Sequence, residues 1–341
     1  MRRFGLDISD SVIRLAVIER HGKDFRLPVR GEIPLSDGAV VDGTIMKPTE
    51  VIDLLKKLVM AAKPRTRHAI VTLPERHSFV KVITLPSGSE ASEAGVKAAV
   101  LPHLPYAWEE MSYDWRLLPP VPGQPGTRIM FGGAPLTIVK SYLDVLHAAN
   151  IEAVSMEIES VAIARAMLPP NAQGAHIILD LGRTRTSLIL VSDGVVEFST
   201  TIRYAGKELN QYIADALHLT LEQAQRAKEL FGLDPTKGKG LLANVLAPQL
   251  DVLAEKIESI QEYYRSRFPT EAPISSILLT GSGALIRHLD LELSKRLHEP
   301  VTPQPAWIIR RVSDDPADIH DIGYTYTTAL GLALQPFFSP Q

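Results

Sequence analysis

The sequence predicts an α/β protein built from two related halves, and three observations carry that expectation. Short β-rich runs alternate with amphipathic helical stretches along all 341 residues. An apolar strand that ends in aspartate and turns straight back on itself occurs twice, at Phe4–Ile8 and at Ile177–Leu181. A third buried-looking strand, Ile274–Thr280, runs into the glycine turn Gly281-Ser282-Gly283. Strands alternating with helices give an α/β fold, and a chain of this length exceeds one ordinary core, so two or more lobes are expected.

The elements follow in order. Phe4–Ile8 and Val12–Glu19 read as strands joined by the polar turn Ser9-Asp10-Ser11, with a third strand over Phe25–Ile33. Pro48 and Thr49 open a helix with Val51, Leu54, Leu55, Leu58 and Val59 on one face, the spacing of an amphipathic helix. His68–Leu73 and Phe79–Leu85 are β-rich runs, each ended by a proline. Ser87-Gly88-Ser89-Glu90 has capping-box spacing for a helix that Pro102 stops. Strands over Tyr113–Leu118 and Arg128–Phe131 flank a Pro/Gly-rich loop, followed by a helix over Leu136–Ala149, a strand over Ile151–Met156 and a helix over Ser160–Leu168. After the break at Pro169–Asn171 come strands at His176–Asp180, Thr186–Val191 and Val195–Ile202. Helices are then expected over Lys207–Leu217, Leu221–Leu230, Leu241–Phe268, Leu285–Leu297 and Tyr326–Leu334.

Composition removes several function classes. A net charge of -3 argues against a general nucleic-acid binder. Without cysteine there are no disulfides, thiolate metal sites or cysteine nucleophiles, which fits a reducing cytosol. The ten histidines show no HxxxH or HExxH spacing, so a metalloenzyme is not expected. No run approaches the roughly 18 apolar residues of a membrane span, and Asp7 and Asp10 interrupt any signal-peptide core.

The repeat points to chemistry. Asp7 precedes Ser9-Asp10-Ser11 and the return strand Ile13–Val17; Asp180 precedes Gly182-Arg183-Thr184 and the return strand Thr186–Leu190. A tight hairpin turn aims backbone N–H groups into one concavity suited to phosphate oxygens, and two such turns would grip a polyphosphate. Asp7 and Asp180 would then hold a hydrated Mg²⁺, which prefers one or two carboxylates plus water. The bland reading is that aspartate often ends strands at turns.

With those residues in view, the chain resembles the actin/Hsp70/sugar-kinase superfamily: Asp7–Arg14 its first phosphate motif, Asp180–Ser187 the second, Leu279–Ala284 the adenosine motif. Within it the chain is similar to the PilM family and more distantly to FtsA, through Val82–Pro86, Leu104–Tyr106, Met156–Ala166, Thr201–Leu209, Leu221–Lys228 and Thr328–Leu334. The resemblance implies an actin-like (ribonuclease-H-like) two-lobed fold with an inserted small α/β subdomain. Its first lobe would comprise residues 1–85, 151–172 and 323–341, its insert 86–150, and its second lobe 173–322. It implies ATP with Mg²⁺, held by Asp7, Ser9, Asp10, Ser11 and Arg14 and by Asp180, Gly182, Arg183, Thr184, Gly206, Lys207, Gly281, Ser282 and Gly283. It also implies attachment, at the cytoplasmic face of the inner membrane, to the N-terminal tail of a PilN-like membrane protein, alongside other pilus platform proteins.

Relatives usually carry glycine where this chain has Ser9, and Gly-Gly where it has Ala205-Gly206; Asp10, Arg183 and Arg185 change the charge of the two turns. Hydrolysis is therefore expected to be slow at most. Glu159 aligns with the water-activating glutamate of filament-forming relatives, or serves only the N-terminus of its helix. The competing functions are a small-molecule kinase, for which no catalytic aspartate stands out, and an FtsA-like membrane filament. The latter is disfavoured because Tyr326–Phe338 carries no lysine or arginine.

Overall fold

The structure is a computed structural model that describes residues 2–22, 24–85, 91–120, 126–268, 273–313 and 315–338. The chain divides into two compact units: Met1–Arg165 with Gly194–Ser199 and Thr328–Gln341, and Ala166–Asp193 with Thr200–Thr327.

The first unit contains β1 (Phe4–Ile8), β2 (Val12–His21), β3 (Asp24–Pro34), the short pair β4 (Val40–Val41) and β5 (Thr44–Ile45), α1 (Pro48–Ala62), β6 (His68–Leu73), β7 (Phe79–Leu85), α2 (Glu93–Val100), β8 (Met111–Leu117), β9 (Thr127–Pro135), α3 (Leu136–Ala148) and β10 (Glu152–Ile158). The helix α4 (Glu159–Met167) leads out of it. A five-stranded sheet runs β10-β6-β1-β2-β3. The pairs β10/β6 and β6/β1 are parallel, and β1-β2-β3 is an antiparallel meander.

The second unit contains β11 (Ala175–Leu181), β12 (Thr186–Ser192), α5 (Gly206–Leu217), α6 (Leu221–Phe231), α7 (Leu241–Arg267), β14 (Ile274–Thr280), α8 (Leu289–Leu297), β15 (Val301–Pro303), α9 (Ile309–Val312) and α10 (Pro316–Thr325), with β13 (Val195–Ile202) and α11 (Thr327–Phe338) completing the chain. Its strands run β15-β14-β11-β12, with β15/β14 and β14/β11 parallel and β11/β12 antiparallel. Each unit thus sets two parallel strands beside an antiparallel hairpin. The match extends to register, because Asp7 lies opposite Arg14 and Asp180 opposite Ser187. The repeated sequence pattern is a repeated topology.

Helices cover both faces of the first sheet. On one side α1 contributes Val51, Leu55 and Leu58 to the core, and α3 contributes Ile138, Tyr142, Val145 and Leu146. The sequence grouped α3 with the insert, yet its buried face belongs to this sheet. On the other side Ile70, Ala162 and Leu332 join β6, α4 and α11. The backbones there are nearly in contact: a Cβ on Gly5 would lie 2.2 Å from the Ala329 carbonyl oxygen, and one on Gly331 would lie 1.9 Å from that of Ala162. A second, smaller core sits between α2 and the β7–β9–β8 strands, where Ile83, Leu85, Val96, Val100, Trp108, Ile129 and Phe131 pack together.

The expected capping box at Ser87–Glu90 lies outside the described residues; α2 is capped by Ser92, whose hydroxyl accepts from the Gly95 N–H at 3.3 Å. The helix expected from Leu285 begins only at Leu289, because Ser282–Leu285 is a tight 3-10 turn and His288 is left-handed. Among the described residues no helix is long and apolar enough to cross a membrane.

Because Gly331 meets a carbonyl oxygen of a rigid helix, Gly331→Ala should destabilise the chain by about 3 kcal/mol, the upper end of overpacking effects. A denaturant midpoint unchanged from the wild type would refute the close approach of α4 and α11.

Candidate functional site

In the second unit the site begins where β11 ends. Asp180 lies in register with Thr280 of β14 and Ser187 of β12. The following turn closes through Gly182 N–H to the Arg185 carbonyl at 2.9 Å. The start of α5 is stitched to this turn: Gly206 N–H donates to the Gly182 carbonyl at 3.1 Å, and Lys207 N–H to the Arg183 carbonyl at 2.8 Å. Those two amides therefore serve the fold.

The glycines after β14 answer to packing. Gly281 has φ +79°, and a Cβ there would fall 2.5 Å from Asp180 Oδ1 and 2.6 Å from the Leu181 carbonyl oxygen. A Cβ on Gly283 would fall 2.7 Å from that of Leu181. The turn lies directly on the end of β11, so glycine is required whether or not a ligand is present.

These pieces wall a cavity of about 650 Å³, a normal size for a small-molecule site. Of the residues that the resemblance assigns to the nucleotide, Gly182, Arg183, Gly206, Ser282 and Gly283 line it; Thr184, Lys207 and Gly281 are not among its lining residues. What the sequence missed is one face of α6, Gln225, Lys228 and Glu229, together with Asn210 of α5 and Arg287. The i, i+3, i+4 spacing of that face is a usable signal, but solvent-facing helices carry the same pattern.

The cavity is cationic: Arg183, Lys228 and Arg287 line it beside one carboxylate, Glu229, and the imidazole of His320. Lys228 is only 9% exposed and donates to the Gly206 carbonyl at 3.0 Å. Burial pulls its pKa down to about 8; Glu229 opposes the shift and Arg183 adds to it. Asn210 Oδ1 is buried and has no hydrogen-bond partner among the described residues. Leaving such an acceptor unmet costs about 1–3 kcal/mol, so a ligand offering a hydroxyl or amino hydrogen fits there.

The first hairpin, in the other unit, is closed upon itself. Ser9 N–H donates to the Val12 carbonyl at 3.1 Å, and the Ser9 hydroxyl reaches the same oxygen at 2.8 Å. Asp10 Oδ1 accepts from Gly43 N–H at 2.9 Å, Arg14 pairs with Glu32 at 2.9 Å, and the Ser11 carbonyl accepts from Leu35 N–H at 3.0 Å. None of Ser9, Asp10 and Ser11 has a positive φ, so the turn needs no glycine and Ser9 sits there unstrained. Asp7 is buried and accepts from the Thr72 hydroxyl at 3.4 Å.

Glu159 stands at the start of α4 beside Glu75, both 6% exposed. Glu75 accepts from Ser160 N–H at 3.1 Å and from the Ser199 hydroxyl. Burial raises its pKa, and the neighbouring Glu159 charge raises it further against those hydrogen bonds. Nothing in the sequence marks Glu75, which reads as an ordinary residue after Pro74.

The first unit also carries a groove of about 460 Å³. Leu73, Val80, Met130, Leu143, Met156 and Val161 form its apolar lining, with Tyr113, Asp114, Trp115, Arg116 and Glu157 also along it. One wall is β8, the last strand of its sheet. Tyr113 and Trp115 stack at 6.2 Å, whereas Trp108 is buried against Phe131.

Two units of repeated topology, each presenting a hairpin with aspartate before its turn, define an actin-like protein. The chain belongs to the PilM family: the family described as type IV pilus assembly protein PilM matches residues 5–337. It is similar to a solved PilM-PilN type IV pilus biogenesis complex, at TM-score 0.81 and 22% identity, covering 100% of this chain and 99% of that one. It is also similar to the ethanolamine utilization protein EutJ of Carboxydothermus hydrogenoformans (TM-score 0.58, 16% identity, 98% and 89% covered). MreB 5 of Spiroplasma citri bound to AMPPNP matches at TM-score 0.51 and 16% identity, with 89% and 91% covered. The protein is therefore an actin-like type IV pilus assembly protein.

A carboxyl whose pKa is higher folded than unfolded stabilises the fold fully below its ordinary range, and that contribution is lost as pH rises through the raised value. Glu75→Gln keeps a donor and an acceptor at this position and cannot ionise. Denaturant titrations at pH 5 and pH 8 should show the Gln variant gaining stability over wild type at the higher pH; an identical pH dependence would exclude an ionisable Glu75 as the source.

Proposed function

We propose that the chain is a nucleotide-binding scaffold of the type IV pilus assembly platform. In this reading the cavity of the second unit takes the adenine nucleotide. The observation that carries it is the cationic wall of Arg183, Lys228 and Arg287 set beside the buried, unpartnered Asn210 Oδ1. Anionic phosphates suit the first, and a ribose or adenine donor hydrogen suits the second. The MreB 5 structure of the same fold is bound to AMPPNP, which supports the ligand class.

Among the described residues no group of three or more acidic or histidine side chains could hold a metal alone. Mg²⁺ would therefore arrive with the phosphates and meet Asp180 through water, as its preference for retained waters allows. The repeated register of the hairpins supports a matching assignment of Asp7 to the hydrated Mg²⁺ and of Ser9, Asp10, Ser11 and Arg14 to the same nucleotide, with Thr184, Lys207 and Gly281 completing the set. In this reading Glu159 is the residue that activates water, and turnover is slow. For the lobes, the reading keeps residues 1–85, 151–172 and 323–341 for the first and 173–322 for the second, with α3 moved from the insert of 86–150 to the first lobe whose core it joins.

The groove beside β8 is the docking place for the N-terminal tail of a PilN-like membrane protein, which would hold the chain at the cytoplasmic face of the inner membrane. An exposed strand edge supplies backbone hydrogen bonds to an extended peptide and the adjoining apolar groove supplies side-chain pockets. The solved PilM-PilN complex supports the partner class.

Mg-ATP at a hundredfold its Kd should add about 2.7 kcal/mol to folding stability, read as a thermal shift. No shift at millimolar ligand, or the same shift in Asp180→Asn, would defeat the nucleotide assignment. For the groove, a synthetic tail peptide should bind the full chain and lose at least about tenfold, or 1.4 kcal/mol, in Leu143→Asp. Leu143 is 41% exposed, so the change should leave the fold intact, and equal binding by both proteins would put the partner elsewhere.

A further inference from the structure

We infer that Lys228 couples ligand binding in the second-unit cavity to the uptake of one proton, so that the site binds anionic nucleotide more weakly as pH rises. The coupling rests on the nucleotide reading of that cavity and adds to it how occupancy is regulated.

The geometry is unusual for a lysine. The residue lines the cavity and is 9% exposed, and its Nζ donates to a neutral backbone carbonyl, Gly206 O at 3.0 Å. The charged groups around the cavity are Arg183 from the turn after β11, Arg287 from the segment before α8, His320 of α10 and Glu229 beside Lys228 on α6. Burial and the Arg183 guanidinium disfavour the ammonium form; the Glu229 carboxylate favours it. Burial and Arg183 prevail, leaving the amine half protonated near pH 8.

An anion reverses that balance. Phosphate oxygens placed among Arg183, Lys228 and Arg287 cancel the repulsion and stabilise the ammonium. Where Lys228 was neutral, its nitrogen lone pair takes a proton from a buffer acid, which leaves as its conjugate base. By linkage the apparent affinity then falls above the free-state pKa by up to about tenfold per pH unit. Arginine stays charged throughout this range, so it can replace the cation while abolishing the titration. The Gly206 carbonyl is part of the same device: it heads α5, whose N–H is tied to the Gly182 carbonyl of the turn. The proton thus sits on the side chain that joins α6 to the turn and α5.

The experiment is calorimetric titration of ADP into the full chain at pH 8.5, in two buffers of very different ionisation enthalpy, repeated on Lys228→Arg. Wild type should take up a substantial fraction of a proton on binding, and its Kd should weaken severalfold between pH 7.5 and 9. Lys228→Arg should bind with no proton uptake and a nearly flat profile over the same range. Wild-type binding without uptake, or equal uptake in Lys228→Arg, which would assign the proton to another group such as His320, overturns the inference and leaves the nucleotide reading standing. A chain that binds ADP at no pH overturns both. A variant that fails to fold is recognised by its thermal melt, and direct titration of the Lys228 amine by NMR in the ligand-free wild type then decides: an ordinary lysine value sinks the coupling.

Discussion

The close approach of backbone to backbone at the end of β11 is the constraint on which the second unit depends. The Gly281–Gly283 turn lies so tightly over Asp180 and Leu181 that no side chain fits between them. That contact fixes where β14 ends and holds one wall of the cavity against the turn after β11. The turn in turn receives the first two amides of α5, and Lys228 ties α6 to the same place. Four segments distant in sequence are thereby brought around one hollow with little freedom to shift. The first unit repeats the principle on the reverse of its sheet, where Gly5 and Gly331 let α11 lie on β1 and α4. Both are places where the absence of a Cβ, rather than any side-chain contact, sets the geometry.

Much of this was legible in the sequence because it is periodic or repeated. The paired aspartate hairpins announce their own register, and Asp7 opposite Arg14 and Asp180 opposite Ser187 bear the reading out. The helices over Pro48–Ala62 and Gly206–Leu217 follow from apolar spacing. Elements defined by tertiary contact left no such trace. The three-residue strand Val301–Pro303 exists because β14 offers it an edge, and three residues carry no period. The helix read over Leu285–Leu297 starts four residues late, at Leu289, because the demand that Gly281 and Gly283 hug β11 leaves Ser282–Leu285 as a tight turn.

The candidate site was legible to a similar depth. Glycine and arginine in the turns stood out, since few other roles need them there. Lys228 and Gln225 did not, because a polar face on a helix ordinarily means solvent, and only the packing of α6 against the turn turns that face inward. Glu75 was invisible for the complementary reason: its importance lies in Ser160 and Ser199, 85 and 124 residues away. The glycine turn after β14 was found for a reason the structure changes, because its residues are fixed by their fit to Leu181 before any ligand enters.

The position of β8 at the margin of its sheet has a consequence for how the chain behaves when alone. A terminal strand leaves one row of backbone donors and acceptors unpaired, and such rows are templates for cross-strand association between copies. Here the row lies next to an apolar hollow, and Leu117 at its end is 61% exposed. The strand's sequence supplies its own guard: Asp114 and Arg116, opposite in charge and exposed, interrupt what would otherwise be a run of Tyr, Trp and Leu. Such charges discourage adhesive stacking of like chains without closing the edge to a complementary peptide. Resistance to pairing between like strands and, under the docking proposal, selectivity for a guest segment thus fall to the same seven residues.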